Sequence, residues 1–289
     1  MKLWVCIPVH NRIQFTIKCL ESLSRQNHRN FAIVICDDGS TDGTAEQIRK
    51  RFPEVLTLQG DGNLWWTGAT NRCVEYVLQH SEDSSDCIVT LNNDLEVSEN
   101  YLSSLANAAS KYPRALITSV GYDITTKRLV SPGYRQSWLT TKARPIDPLT
   151  DHLPGDNNVA CVTHAAGRGT LIPLEVFRKI GLFDEHRLPH YGADYDFSFR
   201  AGRAGYKVLV CFLAPVFSHV EETGITKIRE KFSLKGLYRY LTNIKSPANL
   251  RVRWWLAVKN CPRILLPSFL LLDLMFSVGS YFKYHSMRP

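Results

Sequence analysis

Four short segments of this sequence gather side chains that can hold or move charge. Asp37-Asp38-Gly39-Ser40-Thr41-Asp42-Gly43-Thr44 crowds carboxylates and hydroxyls onto flexible backbone. Carboxylates accept hydrogen bonds from the N–H of a base or the hydroxyls of a ribose, so Asp37 and Asp38 are candidates to hold a ligand. Thr41 and Asp42 stand where a side-chain oxygen caps a helix that begins near Thr44. Leu91-Asn92-Asn93-Asp94 offers the oxygen ligands that Mg2+ and Mn2+ prefer, and such ions take only one or two protein carboxylates when phosphates supply the rest. Asp94 suits a direct ligand and Asn92 an assisting one; the same triplet is also ordinary turn chemistry. Asp194 and Asp196 lie two residues apart at a helix start, on different sides. One can face a cleft as a general base while the other caps the helix or pairs with Arg200. An acidic first turn that only satisfies the helix dipole is the alternative. His219 stands alone, and a lone histidine is more often structural than a ligand. Trp65 and Trp66 can stack on a sugar or base, or pack in the core.

The elements that must position these groups are visible in the apolar pattern. Short apolar runs bounded by turn residues alternate with helix-period segments, the signature of a mostly parallel sheet covered by helices. Trp4 to Val9 is predicted as a first strand, Phe15, Cys19, Leu20 and Leu23 share a helical face, and Phe31 to Cys36 returns as a second strand. Asp86 to Leu91 is predicted as a third strand. Ser98 is expected to cap a helix carrying Leu102, Leu105, Ala106 and Ala109, and Tyr206 to Phe212 reads as a late strand after a helix with Phe197 and Phe199. Ligands of open sheets collect beyond the carboxyl ends of the strands, where the polar clusters fall. Residues 122–160 show little period and are expected to form a long functional loop or lid. No Gly-x-Gly-x-x-Gly follows the first strand and no P-loop lysine motif occurs, which argues against a dinucleotide-binding dehydrogenase.

Composition bounds the rest. The 289 residues suit one large α/β domain with an appendage, and 44% hydrophobic with 21% charged residues argues against disorder or a multi-spanning membrane protein. A formal charge of +8 favours an anionic partner without choosing among nucleic acid, bilayer and nucleotide diphosphate. The eight scattered cysteines form no Cys-x-x-Cys pair and are expected to be reduced thiols. The opening apolar run is too short for a signal peptide and is broken by Pro8, so a cytoplasmic location is expected. From about residue 226, Lys227, Arg229, Lys231, Lys235, Arg239, Lys245, Arg251, Arg253, Lys259 and Arg263 face only Glu230, and an apolar stretch from Ile264 to Val278 follows. It is shorter than the roughly 20 residues of a spanning helix and is interrupted by Pro267 and Asp273. The tail is therefore expected to lie on an anionic membrane surface, with packing on the catalytic domain or on a homodimer partner as the alternative. It lacks the interleaved aromatics of a nucleic-acid-binding module, so no nucleic acid is expected.

In order along the chain, Ile7-Pro8-Val9-His10-Asn11-Arg12, Asp37 to Asp42, Leu91 to Asp94, Gly167 to Pro173, Gly181 to Glu185, and Asp194 to Arg200 with Gly205-Tyr206 resemble the family 2 glycosyltransferases of the GT-A fold. The resemblance runs from Trp4 to His219. It implies an α/β catalytic domain over 1–225, a Rossmann-like mixed, mostly parallel sheet flanked by helices; the composition shift near residue 226 sets residues 226–289 apart as a basic and apolar helical tail. It implies inverting transfer from a UDP- or dTDP-sugar to the hydroxyl of a glycan or lipid-linked acceptor, in cell-surface polysaccharide or glycolipid assembly. The donor nucleotide would lie near Pro8, Asn11, Asp37, Asp38, Asn71 and Asn92, with Mn2+ or Mg2+ at Asp94. Asn92 replaces the first aspartate of the family's Asp-x-Asp motif. His219 falls where related enzymes carry a histidine on the metal or diphosphate, and Asp194 matches the base of the Glu-Asp motif, with Ala193 in place of the glutamate. Thr70 and Cys73 depart from the family around Asn71. The rival expectation is a non-catalytic nucleotide-sugar binder whose degeneracy Asn92 and Ala193 would mark; the joint presence of Asp94, Asp194 and His219 argues against it.

Overall fold

Leu3, Val5, Ile7 and Val9 are buried on one side of the first strand, β1 (Leu3–Val9), and Cys6 is buried on the other. A strand buried on both faces belongs in the middle of a covered sheet. The structure, a computed structural model, describes residues 1–219 and 233–286. Lys227, Arg229, Glu230, Lys231 and the boundary expected at 225 lie outside the described residues.

After β1, helix α1 (Ile13–Ser24) buries Cys19, Leu20 and Leu23, and β2 (Phe31–Asp37) returns parallel to β1, with Val9 opposite Asp37. Next come α2 (Thr44–Arg51), the short edge strand β3 (Leu56–Gln59), α3 (Trp65–His80) and β4 (Cys87–Thr90). Then follow β5 (Leu95–Val97), α4 (Tyr101–Lys111), β6 (Ala115–Asp123), β7 (Leu129–Ser131) and a hairpin of β8 (Tyr134–Gln136) with β9 (Ala143–Pro145). The sheet domain closes with β10 (Val159–Cys161), β11 (Thr170–Pro173), α5 (Leu174–Ile180), α6 (Ala193–Arg203) and β12 (Lys207–Ser218).

The main sheet runs β10-β12-β6-β11-β4-β1-β2-β3, with β5 on β12 and β7 on β6. The longer strands β1, β2, β6 and β12 share one direction with β3 and β4; β11 is reversed between β4 and β6. One face packs on α1, α2 and α4, the other on α3, α5 and α6, giving two hydrophobic clusters. Reversal of β11 has a consequence for the site: its start, not its end, reaches the edge where the parallel strands terminate. There the Gly169 N–H donates to the Thr90 carbonyl at 2.8 Å and the Ser119 N–H donates to the Gly169 carbonyl at 2.8 Å. Gly169 has φ +84, and a Cβ there would sit 2.8 Å from Ser119 Oγ and 2.9 Å from Tyr101 Oη, so the position admits only glycine.

Of the local expectations, the Ser98 cap and the single loop over 122–160 are corrected, while the Asp42 cap and the reduced cysteines hold. Ser98 does not cap α4; its hydroxyl donates to Asn100 Oδ1, while the Leu102 N–H is accepted by Oε1 of the fully buried Gln26. Asp42 serves two helices at once, accepting from the Thr44 N–H and from the Ile13 N–H. Residues 122–160 are not one open loop, since β7 to β10 lie within them; strands of three residues are too short to register as a period. All eight cysteines are free thiols.

The tail forms α7 (Leu234–Thr242), α8 (Leu250–Asn260) and α9 (Leu266–Ser286), and among the described residues no helix is long and apolar enough to cross a membrane. It packs on the sheet domain through Val252 and Trp255 and through polar bonds. Asp196 on α6 is fully buried and accepts from Arg200 Nε, Lys259 Nζ and Asn260 Nδ2, each at 2.9 Å. Removing one partner of a buried ion pair strands the other charge, so Asp196→Ala should cost about 3–5 kcal/mol of stability. Urea denaturation checks this; a loss below about 1 kcal/mol would mean that the junction between α6 and α8 is held by something other than this carboxylate.

Candidate active site

A cleft of about 720 Å3 opens beyond the ends of β1, β2 and β4, bounded across by the start of α6 and by α8 and α9. Each wall is set by a local constraint. After β1 the chain turns through Asn11 and Arg12 in the left-handed region, at φ 58 and 62, which sends Arg12 into the cleft. Pro8 also lines it. Asn11 itself holds the neighbouring loop: its N–H donates to Ser40 Oγ and its Oδ1 accepts from the Thr41 N–H. Asp37 is buried and accepts from the Ser40 N–H, whereas Asp38 lines the cleft and accepts from the Gly62 N–H at 2.8 Å and the Trp65 N–H at 3.0 Å. Of the expected nucleotide residues, Pro8, Asp38 and Asn92 face the cleft.

Asn71 is not among the lining residues. It is buried beneath them, donating to the Phe183 carbonyl and Glu185 Oε2 and accepting from the Phe183 N–H, so its amide serves the turn before α6. Trp66 lines the cleft and donates its indole N–H to Asn92 Oδ1 at 2.9 Å, which fixes Asn92; Trp65 also lines the cleft, with its ring edge-on to His190.

Asp94 lies at the cleft floor, 7% exposed, with Arg12 Nη1 at 3.3 Å. Burial pushes its carboxyl above the usual carboxylate range, against the opposing pull of Arg12 and Arg168. The His219 N–H donates to the Asp94 carbonyl at 3.5 Å, but its Nε2 meets Glu96 Oε1 at 3.0 Å and its ring packs on Phe15. Among the described residues no group of three His, Cys, Asp or Glu is arranged to hold a metal by itself.

Asp194 opens α6 behind Gly192, whose φ of +83 turns the chain into the helix. Its Oδ2 accepts from the Gly167 N–H at 2.8 Å and its Oδ1 from the Tyr195 N–H at 2.9 Å. Burial raises its carboxyl, while those two backbone bonds and Arg168 act the other way. Asp196 points to the rear, into the junction with α8.

Arg168 lines the cleft although its residue type and spacing did not single it out. It stands between Gly167 and Gly169 at the start of β11, makes no hydrogen bond or ion pair among the described residues, and pulls on the ionisation of both Asp94 and Asp194. Its signal was present, an arginine between two glycines, but nothing in the order of elements showed that β11 is reversed. His190 was likewise missed; its Nδ1 is buried without a partner among the described residues, and burial, then Lys245 and Arg12, push it down to about 4, so it is a neutral imidazole. Trp138 reaches the cleft from the β8–β9 hairpin and packs against Phe199 and Phe269.

The model of glycosyl transferase family 2 matches residues 4–170, more than half of the chain. This chain is a family 2 glycosyltransferase. The match spans β1 to the start of β11 and includes Asp94 and Arg168, while Asp194 and His219 lie beyond it. The glycosyltransferase is similar to N-acetylglucosaminyl-diphospho-decaprenol L-rhamnosyltransferase of Mycobacterium tuberculosis, 26% identical over an alignment of 219 residues, with 69% of this chain and 70% of that protein covered. Its fold resembles that of S. aureus TarS 1-349 in complex with UDP-GlcNAc, with TM-score 0.62, 15% identity, and 98% of this chain and 75% of that chain covered. It also resembles GalNAc-T7 with UDP, GalNAc and Mn2+, with TM-score 0.61, 19% identity, and 75% of this chain but only 44% of that one covered.

The Gly167 position generates a test of how the cleft is held. A Cβ there would lie 2.2 Å from Trp66 Cζ2, so Gly167→Ala must displace the indole and its bond to Asn92. Such overpacking should cost about 1–3 kcal/mol, read by thermal or urea denaturation. In a Trp66→Phe background the cost should shrink, and equal costs in both backgrounds would show that the two residues are not in contact.

Proposed function

We propose that this glycosyltransferase moves a sugar from a UDP- or dTDP-sugar to a hydroxyl of a glycan or lipid-linked acceptor, with inversion, during cell-surface polysaccharide or glycolipid assembly. The observation that carries the reading is the placement of Asp94, Asp194 and Arg168 on one cleft, two carboxylates with a guanidinium near both. The M. tuberculosis relative is named for an acceptor on diphospho-decaprenol, which supports a lipid-linked acceptor and hence work at the cytoplasmic face of a membrane. We take residues 1–225 as the catalytic domain and 226–289 as an accessory tail, with homodimerisation as a further reading of that tail.

In a single displacement the acceptor oxygen bonds to the anomeric carbon as the bond to the diphosphate oxygen breaks. Asp194 takes the proton from the acceptor hydroxyl; its Oδ2 is held by Gly167 yet keeps a lone pair, and a raised pKa makes it a stronger base than an exposed aspartate. Arg12 and Arg168 supply fixed positive charge for the leaving diphosphate. Pro8, Asp38 and Asn92, with Asn11 and Asp37 holding the loop behind, flank the nucleotide.

A divalent ion fits at Asp94 as one protein carboxylate completed by phosphate oxygens, which is how Mg2+ and Mn2+ usually meet nucleotides. Asp94 would hold Mn2+ or Mg2+, and His219 could join only by leaving Glu96. The ion would add charge neutralisation at the diphosphate. The GalNAc-T7 structure, which holds UDP together with Mn2+, supports this use of metal.

The roles separate by mutation. Asp194→Asn should lower transfer by about 10²–10⁴-fold while nucleotide affinity stays within about twofold. Because the base acts deprotonated and burial raises its pKa in the free enzyme, wild-type kcat/KM should fall on acidification at a pH above the ordinary carboxylate range, and the variant should lose that limb. Asp94→Asn should instead weaken Mn2+-dependent nucleotide binding, measured by calorimetry. Arg168→Gln should weaken nucleotide diphosphate by about ten- to a hundredfold, with stability changed by less than about 0.5 kcal/mol. A panel of UDP-, dTDP- and GDP-sugars scored by nucleotide release provides the assay. Nucleotide binding without release from any donor would favour the non-catalytic binder, and a dead but folded Asp196→Asn beside an active Asp194→Asn would reverse the two aspartates.

A further inference from the structure

Helix α9 is inside out. Phe269, Asp273, Ser277 and Tyr281, four residues apart, form its buried stripe; Asp273 and Ser277 are polar and Tyr281 carries a hydroxyl. Asp273 is clasped by both Nε and Nη2 of Arg253, and the Tyr281 hydroxyl donates to the Ser233 carbonyl. The opposite side carries Leu271, Leu274, Met275 and Phe282, at helical spacing; Leu271 is 62% and Met275 61% exposed. An amphipathic helix on a water-facing surface turns its apolar stripe inward. Here the ion pair holds the polar stripe in and the apolar stripe out. The same surface continues on α8, where exposed Leu250, Trp254 and Val258 share a face, and at Ile264 between the two helices. Of the 15 exposed large hydrophobics among the described residues, 11 lie between Leu234 and Phe282.

Charge identifies the occupant. Residues 1–219 contain 23 basic and 23 acidic side chains, so the net charge of the chain does not come from the sheet domain. Residues 233–286 contain eight basic side chains and one acidic, Asp273, which is buried. Lys235 and Arg239 on α7, Arg251 on α8 and Arg263 between α8 and α9 are exposed, while Lys245 faces the cleft. A second copy on this face would bring the same cations against them. Anionic headgroups over an acyl boundary match both the charge and the apolar side chains.

We infer that the outward faces of α8 and α9 seat the enzyme on an anionic lipid bilayer, in the plane of the interface. Phe269, Asp273 and Arg253 line the cleft from the inner side of the same helices. One helix is thus the floor of the enzyme and a wall of its active site, so an acceptor with its lipid in the bilayer meets the cleft at that wall. This last step rests on the lipid-linked acceptor proposed above; the seat does not.

Flotation of the full chain with vesicles tests the seat. The protein should float with phosphatidylglycerol-containing vesicles at low salt, stay behind with pure phosphatidylcholine, and be released by high salt. Leu271→Glu with Met275→Glu, both outside the cleft, should abolish flotation while nucleotide binding and transfer to a water-soluble acceptor persist. Arg251→Gln and Arg263→Gln should each weaken vesicle binding by about fivefold. Failure of the wild type to float, or unchanged flotation of the double variant, overturns the seat. So does a wild-type dimer that the double variant dissociates without any vesicle binding, which would assign the face to a second copy. Flotation without sugar transfer to any acceptor would instead sink the catalytic reading and leave the seat standing.

Discussion

Asp196 is fully buried on α6, and a carboxylate in that position is tolerable only because Arg200, Lys259 and Asn260 all donate to it. Two residues along a helix turn by about 200°, so pinning Asp196 to the rear aims Asp194 at the cleft. The same network reaches further. Arg200 also donates to the Ile180 and Leu182 carbonyls at the end of α5, and Lys259 pairs with Asp184 on the turn that Asn71 fastens to α3. A cluster outside the cleft thus fixes the direction of α6, the turn before it and the docking of α8, which itself lines the cleft.

The front of the molecule depends on a second constraint, the reversal of β11. A parallel strand in that place would deliver its carboxyl end to the site; the reversed one delivers Gly167-Arg168-Gly169, held by the Thr90 carbonyl, the Ser119 N–H and the Asp194 carboxylate. Both flanking glycines are tight against neighbours, one on Trp66 and one on Ser119 and Tyr101, so the Arg168 backbone has little freedom. Asp94 and Asp194 are each pushed towards the neutral form by burial and pulled back by this arginine. A guanidinium with no fixed partner among the described residues, set between two such carboxylates, can turn to a diphosphate at small cost, because it breaks no bond to do so.

Much of this frame was legible in the sequence, and the gaps have physical causes. The central strands β1, β2, β4 and β12 announced themselves by apolar runs, and α1 and α4 by period; β3 did not, because a four-residue edge strand with half-buried Leu56 and Leu58 has no continuous apolar run. The pairing of Asp196 with Arg200 was readable from i, i+4 spacing. Its bonds to Lys259 and Asn260, 63 and 64 residues away, were not. Asn71 carried a motif position yet spends its amide on a turn, and a motif cannot report which way a side chain faces. Arg168 and His190 became site residues only through strand direction and loop packing, which no local pattern encodes.

The tail shows the same limit from the other side. In the sequence, Asp273 interrupts an apolar stretch and argues against a spanning helix; in the fold it is the inward anchor that turns the stretch over. Packing on the domain and apolar exposure stood as alternatives because a single amphipathic stripe can satisfy only one of them. A helix that packs by its polar stripe satisfies both, provided the buried carboxylate has a partner, and Arg253 provides it in bidentate geometry. The net charge then acquires a location. Composition alone left it equally suited to a nucleotide in the cleft, whereas a neutral sheet domain beside a cationic tail puts the long-range field over α7 to α9 and leaves the cleft to act through the short-range contacts of Arg12 and Arg168.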